Sequence, residues 1–114
     1  MAALSIQTIA ETGTAVTLAS AAGGGDTFAN DGNTFVIVTN GSGSSINVTF
    51  TVVNGTFTSK QTGILTKSDN VVAVGAGATR YIGPFPTGVY NSTSGTVAVS
   101  YSSATSVTVG AIKL

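Results

Sequence analysis

Apolar and polar positions alternate along most of this chain with a period of two. In INVTFTVV (46–53), Ile46, Val48, Phe50 and Val52 share one face, and Asn47, Thr49 and Thr51 share the other. Alternation of this kind marks a strand with one side turned to the core. The runs TFVIVTN (34–40), TVAVSY (96–101), SVTVGAIKL (106–114) and the opening LSIQTIA (4–10) read the same way. In 106–114, Val107, Val109, Ala111 and Lys113 fall together while Thr108, Gly110, Ile112 and Leu114 lie opposite. That strand is apolar on both sides, so it is expected to be buried or to lie at an interface. No window carries an apolar stripe at i, i+3, i+4 and i+7 free of Gly or Thr interruption, so no long helix is expected.

Turn chemistry separates the runs. NDGN (30–33), NGSGSS (40–45) and the Asn54-Gly55 pair supply glycines for tight reversals. They predict a hairpin between 34–40 and 46–53. AAGGGD (21–26) reads as a loop, and STSG (92–95) turns the chain into Thr96. The expected fold is all-β: a single-domain antiparallel β-sandwich over 1–114, jelly-roll-like, with seven to nine short strands.

Both prolines fall in RYIGPFPTGVYN (80–91). Each fixes φ and lacks an amide donor, so neither Pro84 nor Pro86 suits a central strand, and Gly83 and Phe85 are pushed toward extended backbone. The segment is expected to be a stiff crossing whose aromatics either plug one end of the sandwich or anchor a subunit contact. On the second reading the contact residues are Tyr81, Ile82, Pro84, Phe85, Pro86 and Tyr90, together with Ile112 and Leu114 from the last strand.

Composition narrows the chemistry. With 114 residues and no cysteine, stability has to come from one core without disulfides. Four basic and four acidic residues leave no net charge. A nucleic-acid or anionic-membrane partner is therefore not expected. The longest apolar-plus-glycine run, VVAVGAGA (71–78), is far short of the ~20 residues of a spanning helix. MAALSIQTIA lacks the basic start of a signal peptide. Low charge also weakens the repulsion that keeps copies apart, which favours assembly.

Absence of His and Cys removes the usual catalytic triads and zinc ligands. Glu11, Asp26, Asp31 and Asp69 are scattered, with no spacing that pairs two of them. DTFANDGN (26–33) departs from a calcium loop and reads as a turn entering a strand. GAGATR (75–80) has Arg80 where a dinucleotide cradle needs glycine. The Asn-x-Ser/Thr triplets at Asn40, Asn47, Asn54 and Asn91 follow from a composition rich in those residues. The expectation is a protein that is not an enzyme and carries no cofactor or metal.

Three segments carry a resemblance: the Phe-Ala-Asn-Asp-Gly entry of 28–40, the Gly-Pro-Phe-Pro corner of 72–91, and the Tyr-Ser-x-x-Thr-x-Val-Thr-Val ending of 95–114. Together they resemble small capsid decoration, or cement, proteins of tailed bacteriophages. The resemblance implies a non-enzymatic virion protein made in the host bacterial cytoplasm. It would bind the major capsid protein on the shell exterior, as a homotrimer at three-fold or local three-fold positions. Two alternatives remain: a glycan- or host-binding module stacking sugars on Tyr81, Tyr90 and Tyr101, and a structural tail or connector subunit.

Overall fold

A computed structural model describes residues 2–59 and 63–113. Short strands open the chain: β1 (Ala2–Ala3), β2 (Ile6–Thr8), β3 (Ala19–Ser20) and β4 (Asp26–Ala29). The central strands are β5 (Thr34–Asn40) and β6 (Ile46–Phe50), followed by β7 (Thr56–Ser59) and β8 (Gly63–Thr66). Then come β9 (Asn70–Val74), β10 (Thr79–Ile82), the single helical turn α1 (Thr87–Tyr90), β11 (Thr96–Tyr101) and β12 (Val107–Lys113). The fold is an all-β sandwich, as the period-two pattern requires.

One sheet has the order β1-β4-β11-β6-β9, and the other β10-β5-β12-β2 with β3 also on β12. Taking β3, β4, β5, β6, β9, β10, β11 and β12 as the first to eighth strands, the sheets read 1-8-3-6 and 2-7-4-5. This is the jelly-roll order, and all the pairs within it are antiparallel. The sheets as a whole are mixed rather than antiparallel, because β1 runs parallel to β4 and β2 parallel to β12. β1 takes the open edge at β4, and β2 takes the stretch of β12 beyond its two-residue pairing with β3. The described strands outnumber the seven to nine expected because such two- and three-residue pieces, and the separate β7-β8 ribbon, have no long alternating run to announce them.

The predicted hairpin between 34–40 and 46–53 does not form: β5 and β6 lie in opposite sheets. Asn40 sends the chain across. Its side-chain Nδ2 donates to the carbonyls of Ser44 at 2.7 Å, Val74 at 3.1 Å and Gly75 at 3.3 Å. Its Oδ1 accepts from the Ser42 amide at 3.0 Å and the Ser42 hydroxyl at 2.6 Å. One buried amide at the end of β5 thus satisfies main-chain groups of the crossing loop and of the opposite sheet, which a two-residue hairpin would not need.

Between the sheets lie Val36, Val38, Val48, Val74, Val97, Val99, Val107 and Val109, all essentially without solvent exposure. Burying each contributes about 1.5–3 kcal/mol, and β-branching suits the pleated surface. At one end the valine core gives way to four aromatic rings, Phe28, Phe50, Phe85 and Tyr90. These come from β4, β6 and the proline corner.

Candidate interaction surface

The proline corner is held from beneath by asparagine. Asn30 Nδ2 donates to the Phe85 carbonyl at 2.9 Å and to Asn91 Oδ1 at 2.7 Å, while Asn91 Nδ2 donates to the Asn30 carbonyl at 2.8 Å. Asn30 Oδ1 accepts from the Gly32 amide at 3.0 Å. The β4-β5 turn and the corner are thereby fixed to each other. Gly83 reaches the corner at φ +141°, with its peptide to Pro84 cis. A Cβ on Gly83 would stand 2.8 Å from Phe35 Cβ, so the close approach to β5 requires glycine. Pro86 then caps α1, its carbonyl accepting from the Val89 and Tyr90 amides. The expected extended crossing is therefore interrupted by one helical turn after Pro86.

This geometry divides the sequence-derived contact residues. Phe85 is 1% exposed, with ring centroids 4.7 Å from Phe50, 5.2 Å from Tyr90 and 5.5 Å from Phe28. Ile82 and Tyr90 are buried in the same core. Side chains so enclosed offer little surface, and these three take their place in the chain's own core. Ile112 is also fully buried. It lies on the outer face of its sheet, where register groups it with Phe35, Ile37 and Tyr81. Leu18 approaches Gly110 on that face, so the N-terminal segment covers part of it. Over 107–113 the two-sided apolar pattern is accounted for by burial within one chain. Leu114 lies outside the described residues. Tyr81, Pro84 and Pro86 remain exposed.

Tyr81 is 72% exposed, the most open of the large hydrophobic side chains among the described residues. Its strand, β10, is an edge strand, with β5 on one side and, among the described residues, open main chain on the other. Beside it a groove of about 310 Å³ runs between Asn33, Phe35, Tyr81, Ile82 and Pro84. Open strand edge, exposed ring and apolar groove lie together, the combination by which sheet proteins bind other proteins.

The same geometry weakens the glycan platform. Tyr90 is buried, and the half-buried Tyr101 donates its hydroxyl to Asp26 Oδ2 at 2.7 Å. Burial first, and then this bond to a carboxylate, push the Tyr101 phenol well above its ordinary range. Tyr81 stands without a second exposed tyrosine to stack a sugar chain.

The acidic groups go separate ways. Asp31 pairs with Lys113 at 2.6 Å, and that bond, together with the Asn33 amide, holds its carboxyl below the usual value. Asp69 accepts from the Val52 amide at 2.9 Å, and Asp26 from Tyr101 and the Ala22 amide. Asp26, Asn30 and Asp31 therefore face different partners: Asp26 opens β4, and residues 30–33 are the turn that joins β4 to β5 in the other sheet. Among the described residues, no three of His, Cys, Asp and Glu gather closely enough to hold a metal ion. Sequence pattern missed β10 as an edge strand, although Arg80 and the prolines after it are residues that open edges favour. No family model, no curated protein and no solved structure matches this chain.

Proposed function

We propose that this chain is a structural virion protein that binds the outer surface of a tailed-phage capsid and stabilises the shell as a trimer. The observation that carries the reading is the open β10 edge, with Tyr81 exposed beside its apolar groove, on a jelly roll whose other large aromatics are mostly turned inward. A protein of this design works by occupying a surface. The sequence resemblance to capsid decoration proteins supplies the surface: the major capsid protein.

Three copies around a three-fold axis would contact one another head to tail, each offering one patch to a different patch on the next. Ile112 is covered within its own chain and is not given to that contact. β10 and its groove take its place. Near-zero net charge leaves little repulsion between neighbouring copies. The test is co-sedimentation of purified protein with capsids of the phage whose genome encodes it. Wild type is expected to saturate the shells, and Tyr81→Ala to bind at least about tenfold more weakly, as loss of an aromatic anchor does. Failure of wild type to sediment with the shells would overturn the proposal.

A further inference from the structure

Two Asn-Gly pairs stand in nearly the same local sequence, Asn40-Gly41-Ser42 and Asn54-Gly55-Thr56. Such pairs share one reaction. The glycine backbone nitrogen attacks the asparagine side-chain carbonyl carbon, because glycine has no Cβ to hinder the approach. A bond forms between that nitrogen and Cγ, the Cγ–Nδ2 bond breaks, and the side-chain nitrogen leaves as ammonia with the proton lost from the backbone amide. Water then opens the five-membered imide at one carbonyl or the other, giving aspartate or iso-aspartate. One water is consumed and one ammonia released, with no oxidant or reductant.

The fold treats the two pairs differently. Asn40 is 0% exposed, and both ends of its side-chain amide are engaged. Nδ2 is held by the Ser44, Val74 and Gly75 carbonyls, and Oδ1 by two Ser42 donors. The would-be nucleophile is also occupied, since the Gly41 amide donates to the Ser106 carbonyl at 2.8 Å. The residue's own main chain is fixed on both sides: its amide donates to Ala78 at 2.9 Å and its carbonyl accepts from Gly77 at 2.7 Å. Swinging Cγ toward Gly41 would break the crossing between the two sheets.

Asn54 is exposed. Among the described residues its side-chain amide has no hydrogen-bond partner, and the Gly55 amide donates to no group. We infer that Asn54 is a site of spontaneous, backbone-assisted deamidation, and that the fold protects Asn40 from the same reaction.

The position gives the change a structural effect. Asn54 stands at the root of the β7-β8 ribbon, where the Gly55 carbonyl accepts from the Lys67 amide at 2.6 Å. Packing at that root is close: a Cβ on Gly55 would meet the Lys67 carbonyl oxygen at 2.5 Å and Val52 Cγ1 at 2.8 Å. Iso-aspartate lengthens the main chain by one carbon directly before this contact, so the ribbon must change its angle to the sandwich. Either product adds a carboxylate to a chain of formal net charge zero. This inference is independent of what the protein binds.

The test incubates the purified, folded protein in mildly alkaline buffer beside a sample unfolded in urea. Peptides are mapped over time by mass spectrometry, and iso-aspartate is labelled with an isoaspartate methyltransferase. In the folded sample Asn54 should convert at least about tenfold faster than Asn40, because a reaction inside the fold waits for local opening. In urea the two sites should convert at similar rates. Conversion of Asn40 as fast as Asn54 in the folded protein would overturn the inference. So would an Asn54 that stays intact while folded, or stays intact under both conditions.

Discussion

Replacing Phe85 by alanine separates a residue of the chain's own core from a residue of a contact. The ring sits among Phe28, Phe50 and Tyr90 with centroid distances of 4.7 to 5.5 Å, and it is 1% exposed. Removing a phenylalanine so enclosed costs about 3–5 kcal/mol, part lost transfer energy and part the cavity left behind. The upper half of that range applies, because the neighbouring rings are held by β4, β6 and α1 and cannot all move in to fill the space. Aromatic pairing adds about 0.5–1.5 kcal/mol per contact beyond area alone. For a chain of 114 residues the unfolding entropy is about 0.24 kcal/mol/K, so a loss of about 4–5 kcal/mol should lower the melting temperature by about 17–21 °C. Far-UV circular dichroism of the free protein, scanned with temperature, reads this directly. A fall of less than about 4 °C would show that Phe85 is not part of the free chain's core, and the assignment of the corner would be wrong.

Asn40→Asp should destabilise by about 3–5 kcal/mol, measured by urea unfolding, because it aims a buried carboxylate at the Ser44, Val74 and Gly75 carbonyls. A midpoint like that of wild type would refute the role given to the crossing. Tyr101 keeps its proton in the fold where an unfolded tyrosine ionises, so its contribution is full below pH about 10 and is lost as pH rises beyond it. Tyr101→Phe should flatten that alkaline decline and cost about 1–3 kcal/mol at neutral pH by removing a donor from buried Asp26; an unchanged alkaline slope would count against it. Asp31 has the opposite sign: its lowered value makes the Lys113 pair stabilising above the unfolded carboxylate range, and the contribution is lost as pH falls through the native value. Lys113→Ala should reduce that acid dependence slightly, and added salt should do the same to wild type, since both side chains are well exposed.

Strand identity was legible where alternation was long. TFVIVTN and TVAVSY coincide with β5 and β11 to the residue, and 106–114 with β12 within one residue at each end. Sheet membership was not legible. An Asn-Gly signal says that the chain changes direction, whereas the choice between returning beside β5 and crossing to the other sheet depends on Val74 and Gly75, more than thirty residues away. Burial of the candidate contact residues was not legible for a similar reason. Ile82, Phe85, Tyr90 and Ile112 are apolar residues near stiff or two-sided segments, and apolarity alone does not distinguish a side chain facing its own core from one facing a partner. The distinction came from Asn30 and Asn91, which pull the corner down onto the sandwich. β4, in contrast, was hidden because DTFA is short and runs directly into its turn.

A cryo-EM reconstruction of the virion, with the chain tracked by antibody or mass, tests the proposed role most directly. The account predicts jelly-roll density on the outside of the shell at three-fold or local three-fold positions, in groups of three, with β10 and Tyr81 at a contact. Density confined to tail fibres or the connector, or shells that carry none of the chain, would contradict it.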